Sequence, residues 1–146
     1  MTFTTVLAVW GAVLSTISLA WNIRRDLFDR GKLEVVCYLA TIQSEGGRPD
    51  STLYLVYRVT NVGRRAVVVT HLGGARTKKT HFMVMPKQPL PRTLEPGQYF
   101  LEYTDSRFLH DRPATLWAVD SLDRHWRLPR RALKRLLREV QDRPTT

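Results

Sequence analysis

A chain of 146 residues, 43% hydrophobic and 25% charged, has room for one domain of roughly 100 residues beside short flanking segments, so a second soluble domain is not expected. The 23 Lys and Arg against 13 Asp and Glu leave a net charge of +10, carried mostly by arginine, so an anionic partner is implied, of which lipid headgroups, a nucleotide and nucleic acid are the candidates. The single Cys37 cannot form an intramolecular disulfide or supply a zinc ribbon, and its setting in Val35-Val36-Cys37-Tyr38-Leu39 points to a buried thiol in a reducing compartment.

The first 23 residues contain no Asp, Glu, Lys or Arg. A helix of about 22 residues at 1.5 Å rise spans roughly 33 Å, close to a ~30 Å hydrocarbon core, so residues 2–23 read as a transmembrane helix. Trp21 falls at the boundary, where an indole N–H is well placed, and Arg24 and Arg25 stop the apolar run. No cation precedes the span, whereas Arg24, Arg25, Arg30 and Lys32 follow it, which predicts an N-out, C-in inner-membrane protein with its domain in the cytoplasm. Two rival readings are a cleaved signal peptide, with Ser18-Leu19-Ala20 as the small-x-small site, and a buried core helix; the missing basic start argues against the first and the missing polar face against the second. Ala8, Gly11, Ala12 and Ser15 form a small-xxx-small arrangement through which two such helices could approach, so homo-oligomerisation in the bilayer is one expectation.

Asp26-Leu27-Phe28-Asp29-Arg30 can extend the helix by a turn, with Gly31 as a left-handed terminator, giving a first segment over residues 1–30. The period then changes. Residues 32–42 are rich in β-branched and aromatic side chains, and Leu53, Leu55, Tyr57 and Val59 alternate with Tyr54, Val56, Arg58 and Thr60 as in a strand. Further strands are expected over residues 66–72, 80–85, 99–104, 115–119 and 124–128, separated by a polar loop at 44–50, by Gly73-Gly74, by a proline-rich stretch over 86–91 and by a tight turn at Leu94-Glu95-Pro96-Gly97. The last pair reads as a hairpin around Asp120-Ser121-Leu122-Asp123, with Trp117 and Val119 sharing a face with Trp126 and Leu128. Seven short strands with no interleaved helices make the protein mainly β, an antiparallel β-sandwich over residues 31–128.

Val59-Thr60-Asn61-Val62-Gly63, Val67-Val68-Val69 and Leu94-Glu95-Pro96-Gly97 resemble the V-x-N-x-G and L-x-P-G turns of bacterial immunoglobulin-like domains. The resemblance covers roughly residues 32–128, lacks the Cys and Trp pattern of antibody domains and brings no catalytic residues across. It implies an Ig-like sandwich of the kind that binds or assembles.

After Pro129, Leu133, Leu136, Leu137 and Val140 recur at helical spacing while Arg130, Arg131, Lys134, Arg135 and Arg138 take the remaining surface, so residues 129–146 read as a basic amphipathic helix and tail. Its stripe can pack on the sandwich, lie on the bilayer, or present the helix to a nucleic acid or acidic protein. Near the cytoplasmic leaflet each Lys or Arg gains roughly 1 kcal/mol from anionic lipid.

Enzyme signatures are missing. His71, His81, His110 and His125 show neither H-x-x-H nor H-E-x-x-H spacing, no G-x-S-x-G accompanies His110-Asp111, and the Gly46-Gly47 and Gly73-Gly74 pairs, read as loop glycines, lack phosphate-loop spacing. Asp105-Ser106-Arg107 and Asp120-Ser121 read as turn formers. The expectation is a non-enzymatic, membrane-tethered interaction module without metal or cofactor, whose partners are the bilayer, a protein or a second copy of itself. An anionic lipid or nucleotide is a further candidate ligand, and nucleic acid is disfavoured. The alternative is a nucleotide-sensing transmembrane effector that oligomerises and perturbs the membrane, as in bacterial defence systems.

Overall fold

A computed structural model describes residues 2–28, 30–41, 52–77 and 79–142. The expected loop over 44–50, with Gly46 and Gly47, lies outside them, as does Asp29. The chain divides into two compact units, Met1–Arg30 and Gly31–Thr146.

The first unit is the helix α1, Phe3–Phe28. Its Phe3–Arg25 stretch is long and apolar enough to cross a membrane, with mean hydropathy 1.8, and none of it is buried inside the protein. The helix thus ends on the extension expected from Asp26-Leu27-Phe28. Gly31 does not end it in the left-handed region: among the described glycines only Gly97, at φ 80°, has positive φ. Gly31 instead lacks a side chain because a Cβ there would collide with Val67 Cγ2 and approach Arg65 O at 3.2 Å.

The second unit is mainly β, with two antiparallel sheets. One has the order β1-β2-β6, formed by β1 (Leu33–Thr41), β2 (Leu53–Asn61) and β6 (Tyr99–Asp105). The other has the order β4-β3-β7-β8, formed by β3 (Val67–Ala75), β4 (His81–Val84), β7 (Thr115–Asp120) and β8 (His125–Arg127), with β5 (Arg92–Leu94) pairing β3 beyond the end of β4. Alternate residues of both sheets meet in one core: Leu33, Val35, Leu55, Tyr57, Val59 and Phe100 from the first, Val67, Val69, Leu72, Leu94, Leu116 and Ala118 from the second. The Tyr57 hydroxyl reaches across to donate to Gly73 O at 3.4 Å. This layering is compatible with a β-sandwich.

Three sequence expectations change in this unit. β5 is an eighth strand, only three residues long and between prolines, too short to show a period. Gly73 and Gly74 are not loop glycines but lie inside β3. A Cβ on Gly74 would stand 2.5 Å from Thr115 O, and one on Gly73 would strike Phe82 O, so both permit close strand approach. Finally, β7 and β8 pair Trp117 with Arg127 and Ala118 with Trp126, so Trp126 shares its face with Ala118 rather than with Trp117. The connection holds one residue fewer than the expected alignment requires, and a one-residue slip exchanges the faces of every side chain.

The helix α2, Arg130–Asp142, buries Leu133, Leu136 and Val140 in the same core and lies against β1, β7 and the 3₁₀ turn Ser106–Asp111.

Candidate functional site: the apolar span and the basic helix face

Two surfaces carry the residues singled out by sequence. On α1, 100° per residue brings Ala8, Gly11, Ala12 and Ser15 onto one stripe about 100° wide, while Trp21, 68% exposed, lies on the opposite side. A Cβ at Gly11 meets nothing within 4 Å, so the stripe is shallow and open. Two hydroxyls near the middle of the span are satisfied internally: Ser15 Oγ donates to Gly11 O and Thr16 Oγ1 to Ala12 O, both at 2.8 Å. They therefore bring no unpaired polar group into an apolar medium. Arg24 and Arg25 follow at the end of the span, both exposed.

On α2 the apolar stripe faces the core, which leaves the opposite side to the cations. Arg130, Arg131, Lys134, Arg135 and Arg138 are all exposed and occupy an arc of about 140°. The first turn contains no acidic residue and the last turn no basic one. That is the reverse of what the helix dipole favours, so helix stability does not account for the placement of Arg130 and Arg131. The C-terminal end is tied down by Gln141, whose side-chain oxygen accepts from the Arg112 guanidinium, Arg112 being the left-handed residue that closes the 3₁₀ turn.

The histidines do not assemble a reactive group. Three of them surround Trp117 on the outer face of the five-stranded sheet, with ring centroids 5.8 Å (His71), 6.5 Å (His81) and 4.9 Å (His125) from it. A bulge between Val69 and His71, where Thr70 Oγ1 donates to Val119 O at 3.1 Å, moves His71 to that face. Sheet-face placement of His71 and His81 agrees with the sequence reading; their convergence on Trp117 has no local sequence signal. Among the described residues no group of three or more His, Cys, Asp or Glu is placed to hold a metal ion. Asp111 is an ion-pair partner of Arg76, and His110 beside it is exposed.

The turn-forming acids behave as expected from sequence. Asp105 caps the 3₁₀ turn by accepting from Arg107 N at 2.8 Å and Arg107 Nε at 2.6 Å, and these bonds hold its carboxyl below the usual carboxylate range. Asp120 is buried at the head of the β7–β8 connection and accepts from Leu122 N, Arg124 N, Arg124 Nε and Trp126 Nε1. Glu102 is the one further buried carboxylate among the described residues; it accepts Gln88 N and its neighbour Tyr103 N, both at 3.1 Å, which pins the 86–91 segment along β6. No family model matches the chain, and no curated protein matches it.

Proposed function

We propose that the protein is a membrane-tethered, non-enzymatic interaction module. In this reading α1 crosses the inner membrane with its N-terminus outside, and the β domain works at the cytoplasmic face as a scaffold for a protein partner or for further copies of itself. The observation that carries the reading is the Phe3–Arg25 stretch, whose large apolar side chains, Trp10 (62%) and Leu14 (59%) among them, find no cover inside the protein. An uncovered apolar surface of this size is costly in water and is satisfied by lipid. The following cations Arg24, Arg25, Arg30 and Lys32 favour the cytoplasmic side for the domain.

The domain itself fits a bacterial Ig-like sandwich. With β1, β2 and β6 taken as strands A, B and E, β3, β7 and β8 as C, F and G, and β4 as C′, the sheet orders A-B-E and C′-C-F-G support this reading, while β5, in the chain position of D, pairs C instead of E. The basic face of α2 supports a second contact with anionic lipid, because its cations are presented away from the core and against the helix dipole.

Carbonate extraction and protease protection of the full-length chain in inverted inner-membrane vesicles test the tether. The reading expects the chain to stay in the membrane and the domain to be digested from the exposed cytoplasmic side. Release by carbonate, or a protected domain, rejects it.

A further inference from the structure

We infer that the outer face of the three-stranded sheet binds single-stranded nucleic acid, with bases stacked on its tyrosines and phosphates held by the cations set among them. Strand alternation builds the face. Leu55, Tyr57, Val59 and Phe100 fill the core, so β1 turns Tyr38 outward, β2 turns Tyr54 and Arg58, and β6 turns Tyr99 and Tyr103. Four of the five tyrosines of the chain therefore lie on this one face, and the fifth, Tyr57, is buried, so exposed tyrosine is concentrated here and nowhere else. Tyr38 and Tyr99 are 40% and 52% exposed, which leaves ring surface open to a base. Tyr54 and Tyr103 are half-buried and pack edge-on at 5.4 Å, which holds both rings in place.

The cations are interleaved with the rings. The Arg58 guanidinium sits 4.7 Å from the Tyr99 ring centroid, and Lys87 Nζ sits 3.7 Å from that of Tyr103 and 5.8 Å from that of Tyr54. Both side chains are exposed, and among the described residues neither is ion-paired with a carboxylate, so their charge is left for a phosphate. Charge and ring chemistry together select the occupant. Counted with its margin, the face carries Lys32, Arg58, Lys87, Arg92 and Arg107 against Glu34, Glu95 and Asp105, and Asp105 is already paired with Arg107. That excess of cations, on a chain with a net charge of +10, repels a second copy and draws a polyanion. Among polyanions the tyrosines favour one whose rings can lie on them, and an open antiparallel sheet bearing exposed aromatics stacks two or three bases. A duplex keeps its bases stacked on each other and offers none to such a face. Three strands about 4.8 Å apart and up to nine residues long at about 3.3 Å each give on the order of 400 Å², which suits a short run of nucleotides rather than a globular partner. The tyrosines are scattered from position 38 to position 103 and meet only through the β1-β2-β6 pairing, so this ligand has no local sequence signal. The face lies wholly within the Gly31–Thr146 unit, and the inference does not depend on the membrane tether.

The test titrates the full-length chain, in neutral detergent micelles, into a fluorescein-labelled oligothymidylate of about 15 nucleotides and follows the fluorescence anisotropy. Tyr38→Ala and Tyr99→Ala remove no charge, and each is expected to weaken binding about tenfold, the usual worth of one stacked base. Tyr99→Phe keeps the ring and is expected to bind like the native chain. Both tyrosines are exposed, so urea midpoints are expected to stay unchanged. Arg58→Gln is expected to lower the slope of log affinity against log salt by about one, the loss of one phosphate contact. Inorganic polyphosphate and polyglutamate carry the charge without bases, and each is expected to compete at least tenfold less well than unlabelled oligothymidylate of equal charge. Equal competition by either overturns the proposal. So does affinity unchanged by both Tyr→Ala variants but lost when Arg131, Lys134, Arg135 and Arg138 become Glu, a result that places the oligonucleotide on α2. A chain that leaves the anisotropy unchanged at low salt also overturns it.

Discussion

The side-chain amide of Asn61 donates to the carbonyl oxygen of Leu94 at 2.8 Å, joining the end of β2 in one sheet to the end of β5 in the other. The same amide donates to Arg65 O at 2.8 Å and its oxygen accepts from Gly63 N at 3.0 Å, while Asn61 N and O bond Gln98 O and Gly97 N. One fully buried side chain thus closes the turn after β2 and holds the turn before β6.

Replacing Asn61 by Ala is expected to destabilise the domain by about 2 kcal/mol, because the buried Leu94 carbonyl loses its donor with no water to replace it and the part-buried bond to Arg65 O is lost as well. Asn61→Asp is expected to cost at least as much, since it turns the two-donor end into an oxygen facing two carbonyls. Urea midpoints measure both, and a loss under about 1 kcal/mol for either refutes the joining role.

This bond also explains what could be read from sequence. Val59-Thr60-Asn61-Val62-Gly63 and Leu94-Glu95-Pro96-Gly97 signalled turns because Gly97 needs positive φ and Asn61 bonds its own turn backbone, and both effects are local. The apolar α1 span and the α2 stripe were legible for the same reason: period and length survive without tertiary information. What was not legible depends on partners far along the chain. Gly73 and Gly74 look like punctuation until Phe82 and Thr115 crowd them, and the Trp117 face depends on the β7–β8 register. The bulge at Thr70 and the gathering of His71, His81 and His125 around one indole need the folded sheet.

Asp120 should govern acid stability. Burial pushes its pKa up, but the bonds from Trp126, Arg124 and Leu122 outweigh that and leave the carboxyl below the usual carboxylate range. A depressed folded pKa contributes stability above the unfolded value near 3.9 that is lost as pH falls through the folded one. Thermal melts between neutral pH and pH 3 are expected to show a steeper loss for the native chain than for Asp120→Asn, which keeps an acceptor and does not titrate. Asp120→Ala is expected to cost about 3 kcal/mol at neutral pH, because the Trp126 indole N–H and two backbone N–H groups lose their acceptor. Parallel acid profiles for the native and Asn chains refute the assignment.

Cys37 lies inward on β1 opposite Tyr57, and burial pushes its thiol up to about 12. At pH 8 almost no thiolate is present, so maleimide labelling is expected to be negligible in the folded chain and complete in concentrated urea. A raised folded pKa gives stability that is full below the unfolded value near 8.5 and lost as pH rises through the folded one. Cys37→Ala is therefore expected to flatten the alkaline loss that begins near pH 9. Tyr57, raised by burial and by the neighbouring Cys37, sustains the loss further up. Rapid labelling of the native fold at pH 8 contradicts the burial on which this rests.

Reversing the α2 face separates binding from folding. Residues 31–146 hold their own core, and Arg131, Lys134, Arg135 and Arg138 are exposed outside it, so changing all four to Glu leaves Leu133, Leu136 and Val140 packed. At roughly 1 kcal/mol per cation, binding of this unit to anionic vesicles at low salt is expected to fall by about 4 kcal/mol, near a thousandfold in affinity. Added salt should weaken native binding in the same direction, because the attraction is screened within a Debye length. Arg131→Glu alone puts an acid into a first turn that has none, and it is expected to raise the melting temperature slightly while lowering vesicle affinity. A variant that is more stable and binds less assigns these cations to the membrane surface rather than to the fold. Vesicle binding that survives the fourfold reversal at low salt rejects the lipid contact.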